Sequence, residues 1–330
     1  MDNKYLIATP MNTSLAIDDA EMQRVLFSTD SPVGELPVFE PIGEPPSFVG
    51  VETQLPVSAD PDIRVIEAMC MAGDSDCASA GIQKLLQAGT NPQDIQICLT
   101  RAAQAGRGDL VQMLLSVGVP VSLGAIKAAI TKESFQLLSL FLKHGWNINE
   151  EEAWCIPPLL SFAIFANVSE ALIAWFLSNG ADPNATCQMD ITPLSTAVAE
   201  GRYSVVEQLL THCPPTTSFR GQLLHLAAGR NIPEDYDAIF RLVLQKCHQN
   251  DINAIMYQDH VFSYEVRRVV GLGTALHEAA KVGQLSAVRT LIASGADPSI
   301  RDSRGNTALE VAEREHNLNV ADELRSFQSN

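Results

Sequence analysis

Apolar residues in this chain recur at helical spacing, then stop at a glycine, and the pattern repeats. The doublets Leu85-Leu86, Leu114-Leu115, Phe176-Leu177 and Leu291-Ile292 each end three residues before Gly89, Gly118, Gly180 and Gly295, and Gly145 closes a similar run. Such spacing predicts a helix with one apolar face. A glycine just past its end takes the left-handed conformation that satisfies the last carbonyls. The phrases that follow, Gly89-Thr90-Asn91-Pro92, Gly145-Trp146-Asn147-Ile148-Asn149, Gly180-Ala181-Asp182-Pro183-Asn184 and Gly295-Ala296-Asp297-Pro298, are built of residues that turn a chain. Eight residues after Asn149, Asn184 and Ser299 come Pro157-Pro158-Leu159, Thr192-Pro193-Leu194 and Thr307-Ala308-Leu309. Threonine caps a helix, and proline fits its first turn, where the missing N–H costs nothing. The fullest unit runs from Gly273 through Thr274-Ala275-Leu276-His277-Glu278-Ala279-Ala280 to Gly283, and Thr274 lies 33 residues before Thr307. Its alanines let a neighbouring helix approach closely.

Ahead of this pattern the periodicity disappears. Residues 1–61 hold eight prolines, ten acidic and two basic side chains, a balance of -8 within the -17 of the whole chain. That density of proline and charge predicts a disordered acidic tail. One stretch, Ser14 to Phe27, has the spacing of a short helix, with Ile17, Met22, Val25 and Leu26 partly on one face.

The repeating unit resembles the ankyrin family, whose repeat is a hairpin turn followed by two helices of about 33 residues in all. The likeness is most complete over Thr192 to Leu210 and Thr274 to Ala312. It implies an all-α solenoid of eight helix-turn-helix units with β-hairpin fingers, at 62–94, 95–122, 123–153, 154–187, 188–219, 220–252, 271–303 and 304–327. The resulting division is a tail over 1–61 and a repeat domain over 62–327. The first three units are degenerate, and the last is expected to be a polar cap, with Glu310, Glu313, Arg314, Glu315, Asp322, Glu323 and Arg325 around its apolar positions. In the TPLH position of such repeats stand His225 and His277, whose implied role is a hydrogen bond to the neighbouring loop.

One finger departs from the pattern. Twenty residues separate Asn253 from Gly273, against six from Ser299 to Gly305. The insertion over 254–270 is aromatic and β-branched and predicts a long projecting β-hairpin. Two readings stay open: it folds back and completes the core, or it meets a partner or ligand. Asp259 and His260, near Tyr257 and Tyr264, form a polar cluster on it, and a small molecule could lie beneath it. Family practice, in which targets are held by finger tips and exposed first-helix positions, implicates Trp154, Ile156, Ile164 and Phe165. It also implicates Gln188, Met189 and Ile191, then Lys281, Val282, Arg301, Ser303, Arg304 and Asn306. On the insertion, Tyr257, His260, Phe262 and Tyr264 join the partner-binding candidates. Trp154 is either a hot spot at an exposed tip or lies flat over Trp146 or the adjacent loop.

Composition narrows the function. The chain is 46 % hydrophobic and 18 % charged, enough apolar content for a buried core. A charge of -17 repels phosphate backbones, so nucleic acid is not the expected partner. No apolar run approaches the roughly 20 residues of a membrane span, and no signal peptide or lipidation motif opens or closes the sequence. The cysteines (Cys70, Cys77, Cys98, Cys155, Cys187, Cys213, Cys247) form no CxxC pair and read as reduced core thiols. The expected compartment is the cytosol, with nuclear entry left open. No GxSxG, HExxH, P-loop or GxGxxG motif occurs, and the adjacent pairs His212-Cys213 and Cys247-His248 lack metal-site spacing.

Three functions remain. The first is a monomeric, non-catalytic scaffold that binds another protein, with no cofactor or metal. The second is an accessory small-molecule-binding or enzymatic protein of specialised metabolism, because the degenerate repeats and long finger resemble ankyrin proteins of filamentous fungi, some encoded beside biosynthetic enzymes. The third is an ankyrin transcriptional regulator with an acidic tail.

Overall fold

The structure is a computed structural model and describes residues 57–328. Every described helix belongs to a compact unit that begins at Ser58. The expected helix over 14–27, and the expected tail up to residue 56, lie outside the described residues.

Helices come in pairs joined by short turns. They are α1 (Pro61–Ala72) with α2 (Ser75–Gln87), α3 (Gln96–Ala105) with α4 (Gly108–Ser116), α5 (Leu123–Thr131) with α6 (Phe135–Lys143), and α7 (Leu160–Phe165) with α8 (Glu170–Ser178). The series continues as α9 (Pro193–Glu200) with α10 (Tyr203–His212) and α11 (Leu223–Ala228) with α12 (Tyr236–Lys246). After an isolated α13 (Val261–Arg267) come α14 (Ala275–Val282) with α15 (Leu285–Ala293) and α16 (Ala308–Arg314) with α17 (Leu318–Gln328). The first members of successive pairs stack in one row and the second members in another.

Local signals set the helix starts. The side chains of Asp60, Ser122, Ser134, Ser169, Thr192 and Thr307 each accept a backbone N–H in the first turn of the helix they precede. Glycine sets the ends: Gly145, Gly180 and Gly295 have φ of +92°, +87° and +96°, a region closed to most side chains.

Between pairs, the contact is apolar and close. Each of α3, α5, α7, α9, α11, α14 and α16 carries a fully buried alanine, namely Ala102, Ala129, Ala163, Ala197, Ala227, Ala279 and Ala308. Phe141, Phe176 and Phe240 fill the second row, and one apolar core runs without a break from Ile63 to Leu324.

Polar side chains then lock one pair to the next. Asn149, Asn184 and Asn253 play one role in three places: each amide donates to a carbonyl of the following turn (Gly180 at 2.9 Å, Ser218 at 3.0 Å, Gly295 at 3.1 Å). Each also accepts a backbone N–H there, from Asp182 at 2.8 Å, Arg220 at 2.9 Å and Asp297 at 2.8 Å. On the opposite edge Arg202 reaches back to the Val168 carbonyl at 2.8 Å, and Arg230 to those of Val198 and Gly201 at 2.9 and 2.8 Å. The two histidines bridge as well. Nδ1 of His277 accepts the Thr274 N–H at 3.1 Å, which leaves Nε2–H to donate to the Asn306 carbonyl at 3.1 Å. His225 Nε2 lies 2.8 Å from the Ala254 carbonyl.

Three expectations need correction. Among the described residues there is no β-strand, and the fingers are tight turns with isolated bridges at Ala153–Ile156 and Arg301–Thr307. The 254–270 insertion is not a β-hairpin. It turns at Tyr257, forms α13, and closes in a 3-10 turn over Arg268–Val270. Phe262, Val266 and Val269 are spaced i, i+4, i+7, which suits a helix, and no residue pair within the segment favours a two-residue hairpin turn. His260 starts the helix by accepting the Ser263 N–H on Nδ1 at 3.3 Å. The cysteines divide too: Cys70, Cys98, Cys187 and Cys213 are buried, Cys155 and Cys247 half-buried, but Cys77 is exposed.

Asn253→Ala removes two hydrogen bonds between pairs and should lower stability by about 1–2 kcal/mol in urea unfolding; an unchanged midpoint would show that the bridge is redundant. Burial pushes the His225 imidazole down to about 4 from its ordinary 6.5. The unfolded chain therefore binds a proton that the folded one refuses, so this stability is complete above pH 6.5 and falls as the pH drops toward 4. Between about pH 7 and 5 the loss is on the order of 2 kcal/mol. Unfolding midpoints of His225→Gln at the two pH values should lack that part of the decline.

Candidate protein-binding surface

The insertion lies across several turns of the stack and organises them. Tyr257 N–H donates to Gln222 Oε1 at 2.9 Å, and Gln222 in turn donates to Asp190 Oδ2 at 2.9 Å. Met256 N–H donates to the Gly273 carbonyl at 2.9 Å. Tyr257 is buried beneath Arg267, whose guanidinium stands 5.4 Å from the ring centre, and burial pushes its phenol up. Farther on, Ser303 donates its hydroxyl to the Arg268 carbonyl at 2.6 Å, and the same hydroxyl accepts the Leu272 N–H at 2.7 Å. The insertion thus joins the 187–192 turn, the start of α11 and the 301–307 turn.

Its outer side meets a fourth turn. Phe262 packs edge-to-face on Trp154, ring centres 6.2 Å apart at 76°. Trp154 remains 40 % exposed. It does not lie on Trp146, which stands edge-on to Phe176 instead. Beyond Phe262 the ridge continues through Val266, Val269 and Val270, all exposed, with Val269 at 74 %.

The remaining candidates separate by position. Phe165, at the end of α7, is 70 % exposed, whereas Ile164 beside it is buried. Met189 is 3 % exposed and packs inward, so neither it nor Ile164 can touch a partner. The turn of the helix explains Ile164, which lies one i+4 step from the core residue Leu160. Gln188 is exposed and holds Glu151 through its N–H and amide at 3.1 and 3.2 Å. Ile156 and Ile191 are half-buried. Lys281 is half-buried beside Glu278, whose carboxyl is pushed up by burial and held down in part by Lys281. Arg301 pairs with Glu310 at 3.1 Å and Arg304 is exposed. His260 and Tyr264 are half-buried on the insertion, where His260 acts as a helix cap. Asp259 faces solvent, so the expected polar cluster does not gather around a cleft. Sequence reasoning missed Val266, Val269 and Val270, although their helical spacing with Phe262 was there to be read.

Away from this ridge, an open groove of about 450 Å³ lies between the 180–184 and 212–217 turns, lined in part by Asp182, His212 and Cys213. Burial, with Asp182 adding to it, pushes the Cys213 thiol up to about 11. It is protonated at neutral pH and is a poor nucleophile. No described helix is long and apolar enough to cross a membrane.

Residues 267–312, from the end of α13 through most of α16, match the family model of ankyrin repeats (many copies). The chain carries ankyrin repeats. The Espin-like protein of Homo sapiens is 43 % identical to it over 53 residues, which are 16 % of this chain and 5 % of that protein. The chain therefore spans about a twentieth of the length of this curated relative. In the matched ankyrin segment, His277 and Asn306 form the bridge between successive pairs described above.

A double-mutant cycle on Trp154→Ala and Phe262→Ala should give a coupling of about 1 kcal/mol in stability. Additive effects would mean that the two rings do not support each other.

Proposed function

We propose that this ankyrin-repeat chain is a non-catalytic scaffold that binds another protein through the turn-side surface bearing the insertion. We count eight ankyrin units in its helix pairs, with the 254–270 segment inserted between the sixth and seventh. Ankyrin repeats generally mediate protein–protein interaction, and fold alone does not carry a function further than that. The observation that supports the surface is Trp154 held edge-on by Phe262 at 6.2 Å while keeping 40 % of its area exposed. A large aromatic fixed in one orientation loses little freedom on binding, which is how interface hot spots gain affinity. Phe165, on a first-row helix, offers a second aromatic anchor.

The test is affinity capture with the whole chain from cells that make it, with mass spectrometry of retained proteins and small molecules. A protein retained by the native chain and lost with Trp154→Ala, while melting changes little, supports the reading. A small molecule retained in the absence of any protein overturns it.

A further inference from the structure

The outer face of the insertion combines two features. One is apolar exposure: Val266 on α13 and Val269 and Val270 in the 3-10 turn after it are exposed, spaced i+4, i+7 and i+8 from the half-buried Phe262, with Trp154 at one end. The other is positive charge. The whole chain carries 22 basic against 39 acidic side chains. Yet Arg268 and Arg304 are exposed at the far end of this ridge, and Arg301 is exposed in the adjoining 301–307 turn. Two contacts place the first two there. Ser303 grips the Arg268 carbonyl, and the stem of Arg304 packs on Gly271, where an added Cβ would meet its Cδ at 3.2 Å.

The carboxylates nearby leave this charge largely unspent. Asp302 is buried and accepts the N–H groups of Arg304 and Asn306 at 2.9 and 2.8 Å. Glu265 pairs with Arg268 at 2.9 Å and Glu310 with Arg301 at 3.1 Å, but both are exposed pairs, which water and salt weaken. Among the described residues Arg304 forms no ion pair.

Resting on the scaffold reading, we propose that this ridge is the docking surface for an amphipathic helix of a partner protein, with an apolar stripe and acidic flanks. A ridge at i, i+4, i+7 fits the groove between the equivalent rows of a second helix. The arginines at its end select acidic flanks and steer such a segment toward the ridge. A phosphate backbone is disfavoured by the charge of -17.

The probe is a synthetic helical peptide with leucines at i, i+3, i+4 and i+7 and glutamates on both flanks, followed by fluorescence anisotropy with the full chain. Saturable binding is expected, weakening as salt rises. Val269→Asp and Arg304→Glu should each lower affinity about tenfold or more, with melting unchanged because neither native side chain is buried. Equal binding of the peptide with lysine in place of glutamate, or of a scrambled peptide, overturns the proposal. So does full affinity in both variants, or preferential binding to anionic phospholipid vesicles. Sedimentation velocity covers the remaining occupant: a dimer abolished by Val269→Asp would assign the ridge to a second copy of this chain. If capture of a protein through Trp154 survives Val269→Asp, only the acidic-helix assignment fails, and the scaffold reading stands.

Discussion

Each helix pair in this stack carries an apolar face that its own two helices cannot cover, so it is stable only with the next pair against it. The requirement accounts for the fully buried alanine on each first-row helix from α3 to α16 apart from the inserted α13, because a larger side chain there would hold the rows apart. It also accounts for the polar bridges. Where two backbones approach that closely, carbonyls between the pairs lose water and buried acceptors must find donors, which Arg230 supplies at Val198 and Gly201. Asn149, Asn184 and Asn253 tie exposed turns together on the other edge. In the α16–α17 pair Arg325 reaches Glu313 at 2.6 Å on an exposed surface.

The insertion obeys the same rule by other means. It is too apolar to stand in water alone, and it is not a repeat that could stack. It therefore lies over the turns, buries Tyr257, and ties three of them through Gln222, which reaches Asp190, and through Ser303. Its inner side becomes part of the fold, and its outer side extends the surface. A stack whose pairs touch only their neighbours is flexible along its length, so a segment crossing several turns holds their relative positions. That rigidity is what a binding surface assembled from separate turns needs.

Much of the fold was legible in the residues because its signals are local. A capping side chain acts on N–H groups two or three residues away, and a glycine acts on its own φ, so Thr192, Thr307, Gly180 and Gly295 declare their roles without knowledge of the rest. The repeat period then assembled these signals into a stack, and the match over 267–312 falls where the period is clearest. The surface was less legible. Family practice cannot tell Phe165 from Ile164, because which of two adjacent apolar residues faces the core depends on the rotation of a helix only six residues long. The asparagine bridges escaped notice for a related reason: the residue closes a turn phrase, while its partner lies in the next turn.

Local chemistry therefore settled where helices begin and end, and that the 254–270 segment is too apolar to be a free loop. Contacts across the chain settled its form. Trp154 and Phe262 are 108 residues apart and meet only once three intervening helix pairs are stacked. Tyr257 is buried because Gln222 and Arg267 close over it. A short apolar segment has comparable intrinsic preference for strand and helix, so the neighbours that offer it a partner choose between them. Here those neighbours offered ring edges and turn carbonyls rather than a free strand edge, and the segment became a helix.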